Sequence, residues 1–215
     1  MSVQDLEPGT IILPTGFFPP VAYFAYLAGG RTVLIEQEET FPKQTYRNRC
    51  EIMAVSGKSS LIVPVSRPSG NHSRSSEIQI SFREHWQRKH WRALQTAYNS
   101  SPYFSFYSEN IEQLLFNDRH LLSEYNLVII RGINELLNIK ADISLTSEYH
   151  KDYLNATDLR RAFSPKKQIK LSEFPSYPQV FNHLHGFLPN LSILDLLFNL
   201  GPDSREYIQG LRFEF

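Results

Sequence analysis

Residues 10–39 read TIILPTGFFPPVAYFAYLAGGRTVLIEQEE, and this stretch decides the fold. Thr10 to Leu13 is a short, β-branched run between Gly9 and Pro14, the pattern of a buried strand. Pro20 falls at the first turn of a helix that runs to about Ala28, where Gly29 and Gly30 end it. A second strand follows in RTVLIEQEE. Strand, loop, helix and strand in about 30 residues make a βαβ unit, which implies parallel strands and a right-handed crossover.

Beyond it the pattern changes. Cys50 to Val55 and Ser60 to Val65 are two strands around Ser56-Gly57-Lys58-Ser59, a hairpin. RPSGNHSRSS is a polar loop, and EIQIS a further strand. Glu84 to about Asn99 is helical, with Trp86, His90, Leu94 and Ala97 on one face. Ile111 to Phe116 is a short helix. Leu121 to about Asn138 contains a longer one, in which Gly132 costs ~1 kcal/mol. Asp142 to Leu145 reads as a strand and Thr157 to Phe163 as a helical turn. Residues 164–180 hold three prolines and read as irregular. Two helices close the chain near 191–199 and 203–209. The expectation is an α/β fold in a single compact domain, residues 1–215. It has an N-terminal βαβ unit, a mixed sheet flanked by helices and a C-terminal buried helix.

The 215 residues suffice for a sizeable core. The 22 basic and 22 acidic residues cancel, which argues against a nucleic-acid partner held by bulk charge. Cys50 stands alone, so no internal disulfide forms, and a reducing cytoplasm fits. The opening residues lack the basic and apolar regions of a signal peptide. No run approaches the ~18 apolar residues of a membrane span. Phosphate-loop, dinucleotide-binding, serine-hydrolase and zinc-protease motifs are absent, and no cofactor is indicated.

Four places carry candidate chemistry. In KQTYRNRC (43–50) an extended chain points Arg47 and Arg49 to one side, with Lys43, Gln44 and Asn48 close by. Two guanidiniums repel unless an anion joins them. The alternative is solvated arginines, or arginines paired to the acids of EQEET. In FREHWQRKHWR (82–92), His90 shares the apolar face with Trp86 and Leu94. It is either a hydrogen-bonded core histidine or the inner wall of a pocket, an acid or base near neutral pH. Trp91 and Tyr23 are rings on which a ligand could stack. His183 and His185 in FNHLHGFLPN are loop histidines or, for His185, a second catalytic candidate; the metal set they would need is not evident. In LPNLSILDLLFNLGP (188–202), Asn190 or Ser192 caps a helix that Gly201-Pro202 stops. Its N-terminus is suited to an anion. Asp195 is either a capping-box acid three residues after Ser192 or a functional acid.

Several pieces together resemble the WbqC-like family of bacterial proteins: FFPPVAYFAYLA, VLIEQEETFPKQTYRNRCEI, LIVPVSR, HWQRKHWRALQTAYNSSPYF and FLPNLSILDLLFNLGP. They follow in order and span nearly the whole chain. The resemblance implies, for some members, a role in surface-polysaccharide (O-antigen) biosynthesis. Longer members carry an extra segment with Leu-Gly-Ala and Ser-Gly elements, which residues 145–180 lack here; if it completes an active site, activity here is reduced or altered. The opening topology is also similar to that of nucleotidyltransferases, but Pro19-Pro20 stands without their HxGH histidines.

Two readings follow. One is a transferase acting on a nucleotide, a nucleotide-linked sugar or another small anionic molecule. Arg47, Arg49 and Lys43 hold the anion, His90 moves the proton, and Asn190 and Ser192 orient the ligand. It requires Arg47, His90 and Asn190 to converge in one cleft. The other is a non-catalytic binding or scaffold protein that keeps the family fold.

Overall fold

The computed structural model describes residues 3–165 and 174–211. Part of the irregular 164–180 stretch therefore lies outside the described residues. The first strand, β1 (Val3–Pro14), is longer than TIIL and is interrupted by an irregularity between Asp5 and Thr10. Its apolar half, Ile11 to Leu13, is buried. The helix α1 (Val21–Gly29) is apolar on nearly every side, and Val21 to Leu27 are all buried. It leads into β2 (Thr32–Glu36), which pairs with β1 in parallel, Ile11 opposite Val33 and Leu13 opposite Ile35. The βαβ reading is thus the observed arrangement.

The hairpin is β3 (Arg49–Ala54) with β4 (Gly57–Ile62), joined by a two-residue turn at Val55-Ser56. A short pair, β5 (Val65–Ser66) and β6 (Gln79–Ile80), follows. Then come α2 (Trp86–Tyr98), α3 (Phe104–Leu115) and α4 (Leu122–Leu136). The strand β7 (Asp142–Leu145) has the expected bounds. Next is β8 (Asp152–Asp158), and the chain closes with α5 (Asn182–His185), α6 (Ile193–Leu200) and α7 (Ser204–Gly210).

The main sheet has the order β7-β2-β1-β8, and every pairing in it is parallel. Antiparallel pairing of strands belongs to the separate two-stranded sheets, and isolated antiparallel bridges such as Pro20 with Ser192 lie outside the strands. The α/β class holds, with the mixture divided between sheets rather than contained in one. The strand β8 takes Thr157 and Asp158 from the helical turn expected at 157–163; the turn itself is confined to the residues after it, where the Ala162 amide donates to the Leu159 carbonyl at 3.0 Å. The β8 residues DYLNATD are mostly exposed or half-buried, because it is an edge strand. Without an apolar run it carries no strand pattern; pairing with β1 makes it one. The helix α3 begins at Phe104, seven residues before the expected start.

Gly132 is explained by packing. A Cβ there would lie 2.4 Å from the Leu114 side chain, so the residue lets α4 approach α3 closely. Gly201 ends α6 with φ 55°, and Tyr103 fills the space beside it. A side chain there would be strained and in collision. Among the described residues no helix is long and apolar enough to cross a membrane.

Candidate functional site

In this sheet the chain moves outward from β1 to β2 and then β7, and returns to the other side of β1 as β8. In open parallel sheets, ligands bind outside the carboxyl ends of strands at such a reversal. A cleft of about 780 Å³ lies there, within the range of small-molecule pockets. The loop after β2 contributes Glu38, Glu39, Thr45 and Arg47; the one after β7, Ser147 to Tyr149; the one after β8, Arg160, Arg161 and Phe163.

Ion pairs build its wall. Arg47 is 2% exposed. Its Nε donates to Glu39 Oε1 at 2.9 Å, and its Nη2 donates to the same carboxylate and to the Arg160 carbonyl at 3.1 Å. Its Nη1 has no partner among the described residues. Burial pushes the Glu39 carboxyl above the ordinary range, although Arg47 pulls the other way.

Arg160 is held from all sides. It pairs with Asp158 through Nε and Nη2, reaches Glu36 Oε2 at 3.3 Å, and donates to the carbonyls of His150 and Lys151. The Tyr149 and Tyr153 rings flank its guanidinium, 5.2 and 4.8 Å away. Burial works against ionisation of Asp158, but Arg160 outweighs it and holds the carboxyl below its usual range. Glu36, fully buried at the end of β2, accepts from Thr146 Oγ1 at 2.9 Å and from the Glu38 amide at 2.7 Å. Arg160 is therefore a framework residue, with its donors already engaged. Tyr149 remains 42% exposed, an aromatic surface at the cleft.

Of the residues expected from sequence, Arg47 is the one that lines this cleft. Lys43 and Gln44 are exposed in the same loop. Arg47 and Arg49 do not form the expected pair. Arg47 sits in a turn, so two-residue alternation does not apply to it, while Arg49 begins β3 opposite Ile62. Arg47 takes the alternative reading, a partner among the acids of EQEET. Asn48 Nδ2 donates to the Val63 carbonyl and ties the loop to the hairpin. Tyr23 is buried behind the cleft, donating to the Pro14 carbonyl at 2.9 Å, with its ring against Phe163. Trp91 stacks on Phe104.

Asn190 and Ser192 divide two tasks. Asn190 Oδ1 accepts from the Ala22 amide at 2.9 Å, so it caps α1 rather than its own helix. Ser192 Oγ caps α6 through the Leu194 amide and donates to the Phe18 carbonyl. The Val21 amide goes to the Leu191 carbonyl. The segment 190–192 thus covers the α1 N-terminus, where phosphate binds in dinucleotide folds.

Asp195 is neither a capping-box acid nor a cleft acid. The Ser192 amide, which a capping box would give it, goes to the Glu51 carbonyl. Its carboxyl is fully buried and accepts from Tyr98 Oη at 2.9 Å, Tyr177 Oη at 2.8 Å and Gln179 Nε2 at 2.7 Å. Burial raises its pKa, and these three hydrogen bonds oppose the rise. His185 lies against the hairpin, its Nε2 2.8 Å from the Val55 carbonyl. His183 is exposed, and both histidines lie in the short helix α5 rather than in a loop.

His90 is a core residue. Its ring lies 5.1 Å from Trp86 and 6.0 Å from Phe17. Burial pulls the imidazole down to about 4, against a hydrogen bond with the Ile62 backbone that raises it. With Asn190 committed to α1 and His90 among aromatics, the required convergence with Arg47 is not present. The low folded pKa of His90 means the unfolded chain takes up its proton first. This contribution to stability is complete above about pH 6.5 and is lost as pH falls toward 4. Its size is roughly 3 kcal/mol. His90→Gln is therefore expected to lose less stability than wild type between pH 7 and 4, as read by urea unfolding. Parallel profiles would contradict it.

Sequence reading passed over Glu39, Tyr149, Arg160 and Arg161. The Arg-Arg pair in DLRRAF was the available sign. Its meaning depended on β8, which brings it to the sheet's carboxyl edge. Among the described residues, no three His, Cys, Asp or Glu side chains are placed to hold a metal.

Fold and cleft together define an α/β protein with a ligand-sized, ion-paired cleft at the reversal point of a parallel sheet. The model of the WbqC-like protein family matches residues 15–169 and 151–207, and the chain belongs to that family. The uncharacterized protein Rv1507c of Mycobacterium tuberculosis is 25% identical over 229 residues, covering 94% of this chain and 97% of its own length. No solved structure matches the chain significantly.

Proposed function

We propose that the cleft binds a small anionic molecule, a nucleotide or nucleotide-linked sugar, and that the protein transfers a group from it in bacterial surface-polysaccharide metabolism. The observation that carries this reading is the position of Arg47. It is buried, held side-on by Glu39, and lines the cleft at the carboxyl edge with its Nη1 unpartnered among the described residues. A rigid guanidinium of this kind suits phosphate or carboxylate. Tyr149 offers a ring face for a base or sugar. Glu39 replaces His90 as the candidate proton acceptor, because it is at the cleft and its pKa is raised.

A second reading, a binding or scaffold protein without catalysis, draws on Arg160 and Glu36, whose polar atoms are spent on one another and on the framework.

The test is a thermal-shift screen with nucleotides, nucleotide sugars and simple anions on wild type and Tyr149→Ala. A nucleotide sugar is expected to raise the wild-type Tm by several degrees and the variant's by less than half as much. Equal shifts, or none with any ligand, would overturn the assignment of the cleft.

A further inference from the structure

The cleft occupies the carboxyl edge of the sheet. At the opposite edge, where the chain enters β2 and β7, lies a second recess of about 260 Å³. Arg31, Lys140, Arg205 and Gln209 line it around Gly29 and Gly30, at the end of α1. Three cations and an amide face it, and none of its lining residues is acidic. None of these four side chains has a hydrogen-bond or ion-pair partner among the described residues. The Arg205 Nε is itself buried and has no acceptor.

That is unlike the cleft, where Arg47, Arg74 and Arg160 each meet a carboxylate. Three like charges in one recess repel. The carbonyl end of α1 offsets about half a charge, which leaves most of the positive field unbalanced. A buried guanidinium N–H without an acceptor costs stability on its own account. An oxyanion removes both costs, since it accepts from guanidinium, ammonium and amide together.

The geometry points to this recess as a binding site for a phosphate-class oxyanion: inorganic phosphate, diphosphate, or the phosphate end of a larger molecule. It is smaller than the roughly 300–1,000 Å³ of pockets that enclose whole drug-sized ligands. It therefore takes the anionic group and leaves the remainder of the molecule outside. It is independent of the cleft, from which it is separated by the length of the strands.

Calorimetric titration with sodium diphosphate at low ionic strength tests it, using wild type, Arg205→Gln, Lys140→Gln and Tyr149→Ala. Diphosphate is expected to bind wild type and Tyr149→Ala alike. Binding should weaken at least tenfold in Arg205→Gln and about fivefold in Lys140→Gln, whose exposed side chain can be changed without disturbing the core. Without ligand, Arg205→Gln should melt no lower than wild type, because the change relieves repulsion. Vesicles of phosphatidylcholine with phosphatidic acid form the second arm. Their capture by wild type and not by Arg205→Gln, without binding of free diphosphate, assigns the phosphate to a lipid headgroup. Equal diphosphate affinity for wild type, Arg205→Gln and Lys140→Gln, or no binding of either probe, would overturn the site.

Discussion

Replacing Asp195 by alanine is expected to lower stability by about 3–5 kcal/mol, and the melting temperature by roughly 10 °C. The carboxyl accepts from two tyrosine hydroxyls and one glutamine amide in a site closed to water. Alanine strands all three donors. Asparagine is expected to recover little, because its NH2 group meets the Gln179 Nε2 or the Tyr98 hydroxyl, which are themselves donors. The Tyr98 hydroxyl also accepts from the Met53 amide, so the damage reaches β3. Because the folded pKa of Asp195 is raised, its contribution runs opposite to that of His90. The titration-linked part of its stability is fully present below about pH 3.8 and declines as pH rises through the folded value, while the three hydrogen bonds remain at pH 7. Thermal unfolding of both variants at pH 7 is the measurement. A loss under 1 kcal/mol in Asp195→Ala would show that the network carries no weight.

Arg47→Ala is expected to cost about 3 kcal/mol, close to the penalty for breaking a buried pair. It leaves the Glu39 carboxyl buried without its cation and the Arg160 carbonyl without its donor. Glu39→Gln in the same chain removes the stranded charge and should restore at least 1 kcal/mol. Urea unfolding of the two single variants and the double variant measures that coupling. If Arg47 were held for a ligand alone, its removal would leave stability unchanged. The double variant serves the ligand question as well, since it lacks the cleft guanidinium but keeps the fold.

The candidate site was legible in part. KQTYRNR supplied Arg47, and the alternative of a pairing with the acids of EQEET proved to be the one realised. Arg49 and His90 were drawn into the site by local spacing. Spacing along a strand or helix says which residues share a face, but not what faces them. His90 shares its face with Trp86 and Leu94, as expected, and that face meets Phe17 and Tyr125. Of the two residues read as caps for the helix that follows them, Ser192 takes that place and Asn190 caps another helix. The helix it caps lies 168 residues away, a pairing no local rule reaches.

The sequence by itself determined the elements whose causes are local. The βαβ unit follows from TIIL, the all-apolar helix after Pro20 and the strand before EQEE. The hairpin follows from Gly57 between two β-branched runs, and the end of α6 from Gly201-Pro202. Each depends on propensity, periodicity or backbone freedom within a few residues. Tertiary structure alone decided the rest. It made an edge strand of the polar residues 152–158 by pairing them with β1, and so carried Arg160 and Arg161 to the carboxyl edge. It also gave Asp195 its three donors, from α2 and from residues 177 and 179. The physical reason is the same in both cases. A buried polar group must find its partners wherever the packed chain supplies them, and those partners are chosen by the fold as a whole.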